Sequence, residues 1–264
     1  MKYNDLDIKK WKESDINVDS LWIIEQREKS GKHSNVYHGN FIPQIPNQLI
    51  RRYTRNEEIV LDPFLGSGTT LYEAENLNRN FIGFDINEDI FNFVKNNMKN
   101  SSEIQYSIKI ADVTSQEEFD NAITTSLESM KAEKVHYVLM HPPYLDIIKF
   151  TSHKNDLSQI SDTDLFINKM LDVIKNCLSY LEKERYFSIV IGDVYKKGEV
   201  IPLSSLIINA VKQKFQVKLK GIVVKNIAGN RAKQGKGGIW RYRALNSDYY
   251  IFKHEYILTF KKMF

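Results

Sequence analysis

The stretch that decides the fold lies between residues 57 and 78 and reads EEIVLDPFLGSGTTLYEAENLN. Its first six residues form a short apolar run that ends in an acid, Asp62, as is typical of a buried strand. A glycine-containing turn follows, and the residues after it have the spacing of an amphipathic helix. This order of strand, glycine turn and helix predicts a parallel sheet, in which ligands bind at the carboxyl ends of the strands.

The same alternation of strands and helices continues along the chain. Further strands are predicted at 81–86, 104–112, 135–140, 186–193, 215–225 and 249–262. Helices are predicted at 47–55, 88–99, 164–183 and 202–214. The pattern predicts an α/β fold with a doubly wound, mostly parallel, seven-stranded Rossmann-like sheet.

Composition limits the class of protein. A length of 264 residues with 42% hydrophobic residues suits one domain of the larger α/β kind. No apolar run approaches the roughly 18 residues of a membrane helix, and the N-terminus lacks the apolar stretch of a signal peptide. The single cysteine excludes a disulfide framework within the chain, which is typical of a cytoplasmic protein. Because no apolar run is long enough, we expect no membrane partner.

Basic residues are concentrated in one part of the chain, although the net charge is only +4. From Lys212 to Arg243 there are ten Lys or Arg residues and no Asp or Glu. Such a stretch is either a solvated basic surface or a surface that contacts phosphates, and the interleaved aromatic residues favour the second. The predicted nucleic-acid contacts are Lys225, Arg231, Lys233, Lys236, Arg241 and Arg243. The glycine-rich segment 226–248 is predicted to be a mobile loop.

The turn after Asp62 does not match either of the common phosphate-binding patterns. It lacks the G-x-G-x-x-G of dinucleotide folds and the G-K-[ST] of phosphate loops. An acid at the strand end would repel a pyrophosphate but can bind an ammonium, so S-adenosylmethionine, with its amino-acid tail and sulfonium, matches better. Asp85 ends the second strand and can accept from both ribose hydroxyls. Asp112 ends the third strand and can accept from an adenine amino group.

A second cluster of unusual residues follows the fourth strand and reads His141-Pro142-Pro143-Tyr144. Two prolines force a stiff, extended backbone whose carbonyl oxygens remain free to accept. The Pro142 carbonyl and the His141 side chain are therefore predicted to accept from an exocyclic amine and localise its lone pair. Tyr144 can stack on a base taken out of the double helix. The alternative is a rigid strand-to-loop turn without a chemical role.

Together, DPFLGSGTT (62–70), FIGFDIN (81–87) and HPPY (141–144) resemble the amino-methyltransferase family of bacterial DNA methylases, which modify adenine N6 or cytosine N4. The resemblance covers most of the chain, and the closing HEYILTF (254–260) is also similar to this family. It implies a methyltransferase sheet of seven strands whose last strand is antiparallel and lies beside the fifth. It also implies S-adenosylmethionine as cofactor and residues 141–144 as the catalytic tetrad.

The resemblance also assigns a cofactor site. Asp62, Phe64, Gly66 and Gly68 would lie on the methionine end, while Asp85 would bind the ribose. The full predicted set is Pro43, Asp62, Pro63, Phe64, Gly66, Ser67, Gly68, Thr69, Asp85, Ile86 and Asp112. The N-terminal segment 1–56 is expected to cover the cofactor, because HGNFIPQIPNQLI (38–50) is similar to a cofactor-binding segment of some family members.

Two features depart from the family. The tetrad usually begins with Asp, Asn or Ser, so His141 leaves the choice between adenine and cytosine undecided, although a neutral imidazole can accept a hydrogen bond. The sheet also accounts for most of the chain and leaves no large target-recognition domain. DNA recognition is therefore expected from the segments 145–162 and 226–248, from the N-terminal segment, or from a partner.

These observations predict one methyltransferase domain, 1–264, that acts on double-stranded DNA and methylates a flipped base, as in restriction-modification. The expected protein partner is a second copy of the chain or a specificity or restriction subunit. An RNA or protein amide methyltransferase and a non-catalytic nucleic-acid-binding subunit remain as alternatives. Cys177 lies in an amphipathic helix without a preceding proline, which argues against a cytosine-5 enzyme. The histidines show no metal-ligand spacing, so no metal is predicted.

Overall fold

The computed structural model describes residues 3–33, 39–98, 103–227 and 237–264. The strands are β1 Leu21–Trp22, β2 Ile59–Asp62, β3 Asn80–Asp85, β4 Tyr106–Ile110, β5 Val135–Met140, β6 Leu181–Ile191, β7 Val194–Lys196, β8 Glu199–Ile201, β9 Val217–Asn226 and β10 His254–Lys262. The helices are α1 Gln44–Tyr53, α2 Thr69–Asn76, α3 Glu88–Asn97, α4 Gln116–Ser129, α5 Thr163–Tyr180, α6 Leu203–Lys214 and α7 Gly237–Leu245. Short 3-10 helices lie at Ile8–Glu13 and Leu157–Gln159.

Eight of these strands form one sheet in the order β1-β9-β10-β6-β5-β2-β3-β4, and β7 and β8 form a separate hairpin. Only β10 runs against its neighbours, since it pairs antiparallel with both β6 and β9. The other pairs in this sheet are parallel. The predicted fold is confirmed, including a last antiparallel strand beside the fifth predicted strand, which is β6. The two-residue edge strand β1 extends the predicted seven strands to eight.

Helices cover both faces of the sheet, as a doubly wound fold requires. Successive strand residues point to opposite faces, so Leu61 packs with α4, α5 and α6, whereas Val60 packs with α1, α2 and α3. Both side chains are fully buried, which explains why β2 is an unbroken apolar run. No helix in the described ranges is long and apolar enough to cross a lipid bilayer.

Besides β1 and the short 3-10 helices, α4, the hairpin β7–β8 and α7 lie where the sequence analysis predicted no helix or strand. The helix α4 begins at an N-cap, in which the Ser115 hydroxyl accepts from Glu118 N, and it buries Phe119 and Ile123. The hairpin β7–β8 follows β6 directly. Helix α7 occupies the second part of 226–248, so the prediction of a loop there was wrong for 237–245, while residues 228–236 lie outside the described ones.

The strand order creates one crevice at the carboxyl edge. From β2 the chain moves outward through β3 and β4, and it then returns to place β5 on the other side of β2. Such a reversal opens a cleft between the two neighbouring strands at their carboxyl ends. The residues that follow β2 and β5, beginning at Pro63 and His141, therefore face each other across this switch point.

Candidate active site

The turn between β2 and α2 requires glycine at two positions. Gly66 and Gly68 have φ angles of 49° and 83°, in the left-handed region that other residues rarely adopt. A Cβ atom on Gly68 would lie 3.0 Å from the Tyr72 ring and 3.1 Å from Val94. The turn thus packs closely against Tyr72 and Val94 and leads into the N-terminus of α2, where amide groups favour an anionic partner such as a carboxylate.

Asp62 is buried at the end of β2, and its carboxylate has hydrogen bonds but no cation among the described residues. Its Oδ1 accepts from Phe64 N at 2.9 Å and its Oδ2 from the Thr70 hydroxyl at 2.5 Å. Burial raises the pKa of Asp62 to about 7; the hydrogen bonds oppose this shift, and the charge of Asp85 adds to it. The carboxylate is therefore only partly ionised near neutral pH.

Asp85 supports the glycine turn from the neighbouring strand. Its Oδ2 accepts from Gly66 N and its Oδ1 accepts from Asn87 N, both at 2.8 Å. Burial raises the pKa of Asp85 to about 6, and the charge of Asp156 raises it further. Two neighbouring acids with raised pKa values form a site that a cationic ligand would stabilise.

Asp112 lies beyond the end of β4 and is held by hydrogen bonds within the chain. Its Oδ1 accepts from the Thr114 amide at 2.9 Å and hydroxyl at 2.8 Å, and its Oδ2 accepts from Asn155 Nδ2 at 2.8 Å. Asn155 belongs to the segment 145–162, which was predicted to contact DNA. The structure brings this part of the segment to the predicted adenine end of the cofactor site.

The rest of that segment is also ordered by its own hydrogen bonds. The buried carboxylate of Asp156 accepts from the Thr151 amide at 2.9 Å and from Ser158 N at 2.8 Å. At its start, Leu145 is fully buried, whereas Ile147 and Ile148 are exposed. One end of the segment therefore closes over the acids, and the other presents apolar side chains to solvent.

The N-terminal segment approaches the same turn through Asn40 and Phe41. The Ser67 hydroxyl donates to Asn40 Oδ1 at 2.7 Å, and Asn40 Nδ2 is buried without a hydrogen-bond partner among the described residues. The Phe41 ring lies 4.7 Å from the His141 ring, measured between centroids. Pro43 is buried at the N-cap of α1. His38, at the start of the family-like segment, lies outside the described residues.

The remaining predicted cofactor residues surround this turn. Pro63, Ser67 and Thr69 are buried, and Phe64 and Ile86 are partly exposed. The set fits S-adenosylmethionine: Asp62 and Asp85, which have no cation among the described residues, match its ammonium and its ribose hydroxyls, and the unpartnered Asn40 amide offers a donor. Among the described residues, no group of three or more His, Cys, Asp or Glu is arranged to hold a metal ion.

The tetrad after β5 is packed tightly across the switch point. His141 Nε2 lies 3.1 Å from the Tyr144 hydroxyl, and that hydroxyl donates to Glu255 Oε2 at 3.0 Å. Burial lowers the pKa of His141 to about 4; the charge of Glu255 opposes this shift and that of Lys225 adds to it. His141 is therefore neutral at pH 7, as the predicted acceptor role requires. Pro142 is buried beside it, and Pro143 is partly exposed.

Tyr144 is more constrained than a simple stacking residue. A Cβ atom on Gly192 would lie only 2.8 Å from the Tyr144 ring, so the ring packs directly on the backbone after β6. Burial raises the pKa of Tyr144 well above 10, and Glu255 raises it further. The hydroxyl therefore stays protonated at any physiological pH.

The structure divides the predicted nucleic-acid contacts. Lys225 is only 4% exposed, and its Nζ pairs with Glu255 Oε1 at 3.0 Å, so the prediction that it contacts phosphate was wrong. Arg241 and Arg243 are exposed on α7. Arg231, Lys233 and Lys236 lie outside the described residues. The apolar neighbours of Lys225 in β9 and β10 explain the difference, because a basic run that enters a strand buries part of its charge.

Comparison with known sequences shows which proteins the N-terminal part of the chain resembles. Residues 1–96 match the family model of the N6/N4 methyltransferases, described as DNA methylase. The Type II methyltransferase M.HindIII of Haemophilus influenzae is 37% identical over 100 residues, which are 33% of this chain and 31% of that protein. M1.MboII of Moraxella bovis is 38% identical over 87 residues, 30% of this chain and 34% of that protein. These matches confirm the resemblance to the DNA amino-methyltransferase family, and each spans about a third of the relative's length.

Solved structures with the same fold cover more of the chain. TrmN from Thermus thermophilus has a TM-score of 0.53 and 16% identity, over 86% of this chain and 50% of its own. A SAM-dependent methyltransferase from Methanosarcina mazei has a TM-score of 0.51 and 10% identity, over 81% of this chain and 97% of its own. At this level of identity they show the fold, which is the Rossmann-like fold of methyltransferases that use S-adenosylmethionine.

Three residues at the site were not found by sequence reasoning. Asn40 and Asn155 lie in irregular segments far from the motifs they reach, and no spacing rule connects them to Ser67 or Asp112. Glu255 lies in the family-like HEYILTF, so a signal was present. A charged residue inside an apolar strand is unusual, and that contrast could have marked it.

Proposed function

We propose that this chain is an S-adenosylmethionine-dependent DNA methyltransferase that methylates the exocyclic amino group of a base, adenine N6 or cytosine N4. One observation carries the proposal: the buried acids after β2 and β3 and the His-Pro-Pro-Tyr tetrad after β5 meet at one switch point. The similarity to Type II methyltransferases supports DNA as the substrate. Sequence-specific methylation within restriction-modification is part of the proposal.

The chain's own residues would hold the cofactor in a defined orientation. The N-terminus of α2, directly after the glycine turn, would bind its carboxylate. Asp62 would face its ammonium and Asp85 its ribose, while Asp112 and Asn155 would lie at the adenine end. Bound there, S-adenosylmethionine supplies a methyl group attached to a positively charged sulfur.

The tetrad would prepare the amine for attack. An exocyclic amine is a poor nucleophile, since its lone pair is delocalised into the base. Acceptors on its two N–H bonds, His141 and the Pro142 carbonyl, would draw the nitrogen toward a tetrahedral geometry and localise that lone pair. The contribution of the protein is then mainly positioning, which can account for a large part of a rate enhancement.

The base must leave the double helix to reach this cleft. Tyr144 presents one ring edge to Gly192, and the stacking of its face on a base remains a prediction. Arg241 and Arg243 on α7, together with Arg231, Lys233 and Lys236, would contact phosphates. The residues after α7 support its nearness to the cleft, because Asp248 accepts from the Tyr195 hydroxyl at 3.2 Å on the hairpin that follows β6. A specificity subunit, a restriction subunit or a second copy also remains a prediction.

The deciding experiment measures transfer of the tritiated methyl group of S-adenosylmethionine to unmethylated DNA, to RNA and to protein. Label in DNA that is recovered as N6-methyladenine or N4-methylcytosine is the expected result. Label in RNA or protein alone would contradict the proposal. Cofactor binding without transfer to any substrate would indicate a non-catalytic subunit.

Variants of His141 test the mechanism in the same assay. His141→Ala should slow single-turnover transfer by about 100-fold or more, the typical loss when one preorganised polar contact is removed. His141→Asn should retain part of the rate, because an amide oxygen accepts. Since the pKa of His141 is about 4, the wild-type rate should not fall on its account between pH 5 and 8. An unchanged rate in His141→Ala would reduce this histidine to a structural part of the turn.

A further inference from the structure

Four side chains are joined in a row by polar contacts: two belong to the tetrad, and two lie buried behind it. Lys225 Nζ donates to Glu255 Oε1, the Tyr144 hydroxyl donates to Glu255 Oε2, and His141 Nε2 contacts that hydroxyl, at 3.0, 3.0 and 3.1 Å. Lys225 and Glu255 are 4% and 7% exposed and stand opposite each other on β9 and β10. We refer to Lys225, Glu255, Tyr144 and His141 as the relay.

Each hydrogen bond in the relay can be formed with only one donor and one acceptor. A carboxylate paired with an ammonium has no proton to give, so Glu255 can only accept. The Tyr144 proton must then point at Glu255, and the phenolic oxygen presents only lone pairs to His141. A contact at 3.1 Å with those lone pairs requires a proton on Nε2. Because a neutral imidazole carries a single N–H, Nδ1 is left with the lone pair.

We propose that Glu255 and Lys225 are positioning residues that fix the Nε2–H tautomer of His141 and so make Nδ1 the acceptor for the target amino group. This inference rests on the function proposed above. In the opposite tautomer Nδ1 would be a donor and would oppose the N–H of the substrate. The oxygen of Asp, Asn or Ser accepts by its nature, whereas a histidine at this position accepts only if its tautomer is controlled.

The geometry favours this role over a merely structural ion pair. Removing a pair of charges from water costs several kcal/mol, and an apolar pair of similar size is often equally stable. Here the cost is incurred directly beneath the tetrad. The Phe41 ring and the backbone at Gly192 hold His141 and Tyr144 in place, so the proton positions are the remaining freedom that the relay controls.

The test is Glu255→Gln, which keeps the shape and reverses the relay. Lys225 would still donate to the amide oxygen, so the amide nitrogen would face Tyr144 and donate to it. The Tyr144 proton would then turn to Nε2, and Nδ1 would become the protonated nitrogen. In the full chain with ¹⁵N-labelled histidine at pH 7, NMR should show unprotonated Nδ1 in the wild type and protonated Nδ1 in the variant. The His141→Ser spectrum, which lacks this resonance, assigns it.

Rates of methyl transfer distinguish control of the His141 tautomer from a loss of structure in the variant. Glu255→Gln should lower methyl transfer by about 100-fold or more while calorimetry finds the same cofactor affinity. In a His141→Ser background, whose hydroxyl accepts without help, Glu255→Gln should cause no further loss. A structural defect would instead be the same in both backgrounds. Glu73→Gln serves as control, since it alters a buried Glu that pairs with His33, at 2.6 Å, outside the relay.

The outcomes separate this inference from the proposed function. A protonated Nδ1 in the active wild type, or an unchanged tautomer in Glu255→Gln, would overturn the inference and leave the function standing. The expected tautomers without methyl transfer to DNA would contradict the function and leave the control of His141 by Glu255 supported.

Discussion

Buried charges at the amino edge of the sheet are paired with groups of opposite charge, whereas two acids at the carboxyl edge have no such partner in the described part of the chain. At the amino edge, Glu58 accepts from Arg55 Nε at 2.8 Å and forms a second ion pair with Arg185. Arg79, also buried, donates to the Thr54 carbonyl at 3.0 Å and pairs with Asp5 at 3.1 Å. Burial pushes the pKa of Glu58 up, but the hydrogen bonds from the two arginines outweigh it and leave the pKa lowered. Each of these buried charges is matched within the chain.

At the carboxyl edge, Asp62 and Asp85 have no matching cation among the described residues. The pKa values of Asp62 and Asp85 are raised to about 7 and about 6, whereas that of Glu58 is lowered. Burial is the largest influence in all three cases, and the presence or absence of an arginine decides the direction. An acid left unmatched in a cleft indicates a site that is completed by a ligand. The contrast predicts that changes at the amino edge lower the free energy of unfolding and that changes at the carboxyl edge lower cofactor affinity.

The largest effect is expected at the amino edge. Arg185→Leu leaves Glu58 buried with a half-exposed partner, and breaking a buried pair costs about 3–5 kcal/mol. Guanidinium unfolding monitored by circular dichroism measures the free energy of unfolding. Arg51→Leu is the control, because its partner Asp15 is 71% exposed and such pairs contribute about 0–1 kcal/mol. Equal losses in the two variants would remove the distinction between matched buried charge and surface charge.

A change at the carboxyl edge should affect binding instead. Asp62→Asn keeps a hydrogen bond from Phe64 N to its oxygen, and its amide can donate to the Thr70 hydroxyl. It removes the unmatched charge, so stability at pH 8 should be equal or higher. Cofactor affinity should fall by about 10- to 100-fold, which corresponds to about 1–3 kcal/mol for a charge-assisted contact. Calorimetry measures the affinity, and Glu58→Gln is the matched control with the reverse pattern. A destabilised Asp62→Asn with unchanged affinity would count against the comparison.

The pH dependence sharpens the same contrast. In the folded chain the pKa of Asp62 is about 7, above its usual 3.8, so between these values the folded state holds a proton that the unfolded state has released. Its contribution to stability is therefore complete below about 3.8 and is lost as pH rises through 7. His141, with its pKa lowered from 6.5 to about 4, contributes the opposite slope between these two values, in wild type and variant alike.

The measurement compares the free energy of unfolding of the wild type and Asp62→Asn from pH 5 to 9. The wild type should lose stability relative to the variant as pH rises, and the two curves should run parallel above about pH 8. A cationic ligand favours the ionised acids, so cofactor affinity should increase more from pH 6 to 7.5 in the wild type than in Asp62→Asn, where Asp85, with a pKa of about 6, still titrates. Parallel curves over the whole range would show that Asp62 titrates at its usual pKa.

Sequence patterns were sufficient where the signal is local. The fully buried β2 and the helices that follow β2 and β3 have clear start signals, the glycine turn before α2 and the Asn87 cap before α3, so they were predicted within a few residues. The antiparallel β10 came from the family resemblance, since periodicity does not give strand direction. Helix α4 was missed because its stripe of Phe119, Ala122, Ile123 and Leu127 is interrupted by Thr, Ser and Asn, which favour helices weakly.

The motifs of the site could be predicted from the sequence, whereas the hydrogen bonds between distant residues could not. The spacing of Asp62, Gly66 and Gly68 is a local property of one turn. The hydrogen bond between Asn155 and Asp112 joins positions 43 apart, and that between Tyr144 and Glu255 joins positions 111 apart. Such pairs depend on the packing of loops, which periodicity does not describe. The burial of Lys225 is of the same kind, because charge counting does not tell a strand interior from a surface.

The smallest effect, and the one that tests the surface rather than the cleft, concerns α7. Arg241 and Arg243 are exposed there, and Arg243 lies 5.4 Å from the Trp240 ring. Each arginine that contacts a phosphate releases a counterion on binding, so replacing both with Ala should lower the salt-dependence slope of DNA binding by about 0.9 per contact, about 1.8 in total.

The matched control is the double change of Lys131 and Lys134 to Ala, two exposed lysines before β5 at the amino edge. Fluorescence anisotropy with duplex DNA at several salt concentrations measures both slopes. The control should keep the wild-type slope, because its charges lie at the edge where no ligand is expected. A slope that falls only in the control would move the DNA to the amino edge and reverse the functional assignment of the two edges.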